Sequence, residues 1–231
     1  MSSSQRYEWD RYGRVYIEKM RRTADQNRDR IIPAMRRLCG GDLSGQNVLD
    51  LACGFGSLSF FLEEQHADVI GIDFSAILIQ EARQQAVRRH SNVQFILADA
   101  TALPFRDVTQ FDLIVCNMAL QDIEGVDRTF RETRRVGKPG AKGLFSIRHP
   151  WTDGWRGDYT EVQELRFAIQ KEWRSKTTSQ IYPARYHRPL EYYINLLLAN
   201  GFAITYCEEI TDREEPPNMP LALILATVLA K

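Results

Sequence analysis

Between residues 47 and 148 short apolar runs alternate with amphipathic stretches, and that alternation leaves the chain few folds to choose from. Residues 47–52, 68–72, 93–97, 111–116 and 143–148 read as strands. Residues 57–65, 76–89 and 126–136 carry helical spacing, the last with Phe130 on its apolar side. Short apolar strands separated by helices belong to a parallel sheet covered on both faces. The right-handed crossover rule then gives a doubly wound, three-layer arrangement.

The rhythm returns near the end of the chain. Residues 189–200 read as a helix closed by Gly201, whose freedom at positive φ suits a helix stop. Residues 202–207 and 221–229 read as strands separated only by DREEPPNMP, so they are expected to be antiparallel neighbours. The expected fold class is therefore α/β, a Rossmann-like seven-stranded sheet with its final strand antiparallel. Residues 7–38 read as helical, with Pro33 near a helix start or a break. Residues 150–186 interrupt the alternation, and a helical stretch is expected at about 162–173. A chain of 231 residues suits one core. The expected organisation is a single domain over 1–231, with 1–40 a helical cap, 47–148 the binding core, 150–186 a substrate-side helical insertion and 187–231 a closing helix and strand pair.

Charge and cysteine usage narrow the function. The 30 basic side chains balance the 30 acidic ones, so there is no field to attract nucleic acid or anionic lipid. The N-terminus has no apolar signal-peptide region, and there is no run of eighteen apolar residues to span a membrane. Cys39, Cys53, Cys116 and Cys207 are scattered, which fits a reducing, cytoplasmic setting. No metal-ligand spacing occurs, so no metal is expected.

The stretch VLDLACGFGS, residues 48–57, ends the first strand and turns through Gly54 and Gly56 into a helix. Ligands in open α/β sheets bind beyond the carboxyl ends of the strands. A phosphate there would want bare backbone N–H groups and little negative charge. Asp50 argues instead for a ligand with a cationic portion such as an ammonium. Asp73 ends the second strand in VIGIDFS, where a carboxylate can accept from both hydroxyls of a ribose. Asp99 follows the third strand in FILADATALPF. Together the three describe an elongated ligand with an amino group, a ribose and a base amino group.

VLDLACGFG, VIGIDFS, FILADATALPF, FDLIVCNMALQDI and RETRRVGKPGAKGLFSI, in this order, resemble the motifs of the class I S-adenosylmethionine-dependent methyltransferases. They are most similar to the small-molecule branch, the ubiquinone/menaquinone, methyltransferase type 11-like enzymes. The resemblance is strong over 47–148 and extends weakly to the end of the chain. It implies S-adenosyl-L-methionine as cofactor and S-adenosyl-L-homocysteine as product. It also implies that Gly54 and Gly56, with Ala52 in the same turn, approach the methionine part and that Asp50 lies near its ammonium. Asp73 would hold the ribose, Phe74 would pack on the adenine, and Asp99 with Ala100 would meet the adenine amino group. Asn117 and Met118 would border both cofactor and substrate, and Tyr16 would reach the cofactor carboxylate. The family commonly has LKPGG where this chain reads VGKPGA at 136–141, a departure bearing on the turn into the fifth strand.

Methyl transfer from a sulfonium is an in-line displacement that depends first on alignment. A general base matters only where the acceptor must lose a proton. His149, His187 and Asp122 are the candidates; either histidine can also be read as structural or substrate-orienting, and Asp122 as a binder of a positively charged acceptor. Tyr12, Trp151, Trp155 and Tyr186, with Trp173 and Tyr182, flank the expected mouth and favour a small, apolar or aromatic organic acceptor, methylated at a hydroxyl oxygen. A monomer or homodimer is expected. Competing readings are a same-fold enzyme that keeps the cofactor for another reaction such as cyclisation, an NAD-dependent oxidoreductase, and a non-catalytic binding protein.

Overall fold

The computed structural model describes residues 3–22, 31–106, 110–151, 159–160, 162–165, 168–171, 178–181, 183–211 and 220–230. Helices α1 (Ser3–Arg22) and α2 (Ile32–Cys39) come first, and Pro33 sits in the first turn of α2, where its missing N–H costs nothing. The alternation follows as β1 (Asn47–Leu51), α3 (Ser57–Glu64), β2 (Asp68–Asp73), α4 (Ala76–Arg89), β3 (Gln94–Leu97), β4 (Phe111–Asn117), α5 (Val126–Val136) and β5 (Gly137–Arg148). Strands β6 (Gln163–Leu165), β7 (Ala168–Lys171), β8 (Thr178–Ile181) and β9 (Arg185–His187) precede α6 (Leu190–Ala199), β10 (Phe202–Thr211) and β11 (Pro220–Leu229).

Seven of these strands form one sheet in the order β10-β11-β5-β4-β1-β2-β3. Strands β1 to β5 pair in parallel, whereas β11 runs antiparallel to both β5 and β10. The sheet therefore has the expected class, with its last strand reversed. Side-chain alternation along each strand sends Leu49, Leu51 and Ile114 to one face and Val48, Leu113 and Val115 to the other. The first set packs under α5 and α6 with Phe130, Phe145 and Leu197; the second packs under α2, α3 and α4 with Met35, Phe60 and Ile79. Each fully buried aliphatic or aromatic side chain contributes about 1.5–3 kcal/mol relative to exposure.

Local signals set the helix ends. Ser75 caps α4 by accepting from the Leu78 amide, and His90 stops it with φ of 54° in the left-handed region. Arg88 and Arg89 occupy its last turn, which complements the helix dipole. Strand β5 starts earlier than expected, at Gly137. The VGKPGAKG segment joins the ladder through a register shift, Phe111 opposing Gly137 and Leu113 opposing Lys142.

The insertion corrects the expectation. Its described residues are strands, not helix: β6 pairs with β9 and β7 pairs with β8, both antiparallel. Leu165, Phe167 and Ile169 alternate at period two in the sequence, and partners at 178–187 are available to pair with them. That pairing outweighs the helix propensity of the intervening Glu, Gln and Lys. Trp155, Trp173 and Tyr182 lie outside the described residues.

Candidate functional site

Chain order reverses between β1 and β4, which are neighbours in the sheet, and the carboxyl end of that pair is where a crevice opens. The turn leaving β1 is held in the left-handed region three times, with φ of 52° at Ala52, 60° at Gly54 and 90° at Gly56. Gly56 has no alternative: a Cβ there would lie 2.6 Å from Cζ of Phe95, whose ring packs edge-on against Phe60. Gly54 faces open space instead, with nothing within 4 Å of its virtual Cβ. Its amide donates to Asp73 Oδ2 at 3.0 Å, so the turn is tied to the end of β2.

Two buried carboxylates define the electrostatics. Asp50 is 1% exposed; its Oδ2 accepts from the Ser59 hydroxyl at 2.6 Å, while Oδ1 is buried without a donor among the described residues. Burial pushes its carboxyl up to about 7, against the pull of Ser59. Asp73 accepts from the Ser75 amide at 2.8 Å as well as from Gly54. Burial raises Asp73 to about 6, the two amides oppose the shift, and the charge of Asp10 adds to it. Asp99 accepts from both the amide and the hydroxyl of Thr101 at 2.8 Å, forming the turn after β3. In the open cleft Asp50, Glu64 and Glu81 share the lining with Arg36, Arg88 and Arg89, so its charges balance, and the carboxylates at the strand ends are those of Asp50 and Asp73.

At the end of β4, Asn117 Oδ1 accepts from the Ser146 hydroxyl at 2.7 Å, and Met118 turns with φ of 56°. Gln121 is buried and links three segments: its amide nitrogen donates to the Met118 carbonyl and to Asp122 Oδ2, and its oxygen accepts from the Arg148 amide. Arg185 of β9 closes on Asp122 Oδ1 at 3.1 Å. Arg188, 3% exposed, donates to the carbonyls of Leu120, Ile123 and Glu124 and stacks over the ring of Tyr186.

Helix α1 lies across this crevice. Gln5 donates to the Asp122 carbonyl, Ser75 donates to Asp10, and the Ala184 amide donates to Glu8. Gly13 lets α1 approach α4, where a Cβ would sit 3.3 Å from Ile77. Residues 5, 9, 12 and 16 follow one helical stripe, and Trp9, Tyr12 and Tyr16 form an aromatic cluster along it. Two cavities result. A small one of about 70 Å³ is bounded by Trp9, Asp73, Phe74, Ala98, Ala100 and Asp122. An open cleft of about 830 Å³ reaches Asp50, Phe55 and Phe60. Tyr16, Ala52, Gly54, Asn117 and Met118 line both, so the two are continuous.

The structure thus brings together Tyr16, Asp50, Ala52, Gly54, Asp73, Phe74, Ala100, Asn117, Met118 and Asp122. Gly56 shapes the turn from behind, and Asp99 shapes the neighbouring loop; neither lines the two cavities. His149 reaches past β11 to Glu209 of β10, with Nε2 3.2 Å from Oε1, and its other ring nitrogen accepts from the Trp151 amide. His187 lies 3.1 Å from the Tyr159 carbonyl and edge-on to the Tyr159 ring. Neither histidine lines the two cavities. Trp151 is 66% exposed beside Tyr159, Tyr12 is packed into the α1 cluster, and Tyr186 lies under Arg188. Trp9, Ser59, Gln121 and Arg188 were not singled out from the sequence. For Trp9 the stripe spacing with Tyr12 and Tyr16 is the signal that could have found it.

The donor set fits S-adenosylmethionine. Asp50 Oδ1 offers a buried acceptor of the kind an ammonium needs, and Asp73 lines the smaller cavity together with Phe74, Ala98 and Ala100. Comparison with known proteins agrees. A family model described as a methyltransferase domain matches residues 42–192. A demethylmenaquinone methyltransferase of Renibacterium salmoninarum is 35% identical over 146 residues, covering 62% of this chain and 60% of the relative. A ubiquinone biosynthesis O-methyltransferase of Coxiella burnetii is 35% identical over 104 residues, 45% of this chain and 44% of that protein. The chain thus spans less than two thirds of the length of these relatives. An S-adenosylmethionine-dependent methyltransferase structure from Mesorhizobium loti superposes with a TM-score of 0.64 at 23% identity, covering 84% of this chain and 96% of that one.

Proposed function

The chain belongs to the class I S-adenosylmethionine-dependent methyltransferases, with that molecule as cofactor, and from this premise we propose that it methylates a hydroxyl oxygen of a small, apolar or aromatic acceptor. The observation that carries the cofactor half of the reading is the buried Oδ1 of Asp50, which has no donor among the described residues and belongs to a side chain on the wall of the larger cleft. When bound, S-adenosylmethionine supplies a methyl group on a sulfonium that is an excellent leaving group.

The residues of the chain then have separable tasks. Asp50 takes the ammonium, Asp73 the ribose hydroxyls, and Phe74 the base. Asn117 and Met118, fixed through Ser146 and Gln121, form the wall between cofactor and acceptor. Helix α1 covers the crevice, and with the 150–186 segment it makes the cap of a single-domain enzyme. A rigid wall and a cover that excludes water supply alignment, which can account for several kcal/mol of a displacement barrier. Asp122, held by Arg185 and Gln121, lines the nucleoside cavity and orients the acceptor hydroxyl by accepting its hydrogen bond. Support for an oxygen acceptor comes from the O-methyltransferase named above, and support for an aromatic one from the quinone pathways in both relatives' names.

The test is incubation with methyl-labelled S-adenosylmethionine and a panel of phenols, hydroquinols and aliphatic alcohols. Label should appear in an ether product, with equimolar S-adenosylhomocysteine, for the aromatic members. Cofactor binding without acceptor-dependent label transfer across the panel would overturn the acceptor class, and label on nitrogen or carbon would overturn the acceptor atom.

A further inference from the structure

The indole Nε1 of Trp9 is buried and has no hydrogen-bond partner among the described residues, although Trp9 lines the smaller cavity with Asp73 and Phe74. Buried tryptophan N–H groups ordinarily find an acceptor, and one left unsatisfied is costly. The aromatic neighbours Tyr12 and Tyr16 both meet the Trp9 ring in edge contacts. The helix that carries it is pinned without any ligand, by Asp10 to Ser75, by Gln5 to the Asp122 carbonyl and by close packing of Gly13 on Ile77. The donor is therefore fixed in place ahead of binding, on a residue that lines the cavity, and it lacks an acceptor among the described residues.

We infer that Trp9 is a cofactor-binding residue whose indole N–H donates to an acceptor atom of the nucleoside half of the ligand while its ring closes that half from the α1 side. The inference rests on the methyltransferase reading and adds to it a contact from outside the sheet. Asp73 and Trp9 divide the work by chemistry. Asp73 can only accept when ionised, and so takes hydroxyl hydrogens; Trp9 can only donate, and so takes a ring nitrogen or a ribose oxygen. A ligand with both kinds of group, as a nucleoside has, satisfies both; an apolar ligand satisfies neither.

The experiment is calorimetric titration of S-adenosylhomocysteine, and separately of adenosine, into wild-type protein, Trp9→Phe and Trp9→His, with tryptophan emission followed in parallel. Trp9→Phe should weaken both ligands by a similar factor, about five- to thirtyfold, the range expected when a buried donor loses its partner. Trp9→His, which keeps a ring N–H, should recover part of that loss, and it carries the comparison if Trp9→Phe does not fold. The emission change seen when wild type is saturated should be largely lost in Trp9→Phe. Wild-type binding that is matched within twofold by both folded variants, with the emission change intact, would overturn the role of Trp9 and leave the methyltransferase reading standing. Loss for S-adenosylhomocysteine but not for adenosine would overturn the assignment to the nucleoside half. Absence of binding by folded wild type would remove both.

Discussion

Ser59 donates to one oxygen of Asp50 at 2.6 Å, and the other oxygen is buried with no donor among the described residues. The hydroxyl lies on the first turns of α3, so the same strand–turn–helix unit that opens the crevice also fixes the carboxylate within it. Replacing Ser59 by Ala removes the interaction that holds Asp50 down and should raise its carboxyl further. Affinity for S-adenosylmethionine near neutrality should fall by roughly three- to tenfold, of the order of one hydrogen bond. Titration calorimetry at pH 7 checks this, and unchanged affinity would show that Asp50 does not meet the cationic end of the ligand.

Asp50 also makes binding depend on pH. With its carboxyl near 7, an ammonium favours the ionised form, so affinity should rise from pH 6 to pH 8 and proton release should accompany binding at pH 6. Asp50→Asn should flatten the profile. Repeating the titration in buffers of different ionisation enthalpy reads the protons directly.

Stability should move the other way. Asp50 and Asp73 have folded values of about 7 and about 6, both above the ordinary aspartate value near 3.9. For an acid raised in the folded state, the folded protein binds the extra proton. The contribution is fully present below about 3.9 and is lost as pH rises through about 6 for Asp73 and about 7 for Asp50. Thermal melts of the ligand-free protein should therefore show Asp50→Asn gaining on wild type between about pH 4 and 7, with the difference levelling off above about 7. A wild-type lead that widens with pH would contradict the assignment.

Two glycines two residues apart should fail differently. Gly56→Ala combines positive φ with a contact of 2.6 Å to the Phe95 ring and should lose about 2–4 kcal/mol of stability. Gly54→Ala meets nothing within 4 Å and should cost only about 1 kcal/mol, while its methyl group intrudes on the cleft and weakens ligand binding. Denaturant unfolding together with ligand titration separates the two.

Arg188 should prove a brace. Its guanidinium satisfies the carbonyls of Leu120, Ile123 and Glu124, and the loop it holds carries Asp122. Arg188→Met should destabilise the protein by about 2–4 kcal/mol by leaving buried carbonyls unpaired. Arg188→Lys should recover only part of this, because an ammonium cannot span three acceptors in the plane of the original fork. Chemical unfolding of the pair measures both.

The sheet and the position of Asp50 and Asp73 at its strand ends were legible because strand periodicity fixes both. The rest depended on directions that spacing does not encode. His149 follows β5 directly, yet its ring points past β11 toward Glu209, away from the β1–β4 crevice. His187 is turned into Tyr159 by the pairing of β9 with β6. The 162–173 run carries both a helical composition and a two-residue alternation, and only its distant partners decide between them. Trp9 was hidden for the opposite reason. The aromatic stripe of α1 was in plain view, but an aromatic stripe more often packs into a core, and only the docking of α1 over the strand ends makes it part of the site.

The most direct measurement is calorimetric titration of S-adenosylmethionine into wild-type protein and into Asp73→Ala, each first shown by melting to be folded. The account predicts one-to-one binding by wild type and at least a tenfold loss in the variant, equivalent to about 1.4 kcal/mol. Folded wild-type protein that takes up no ligand, or equal affinity in the two proteins, would contradict it.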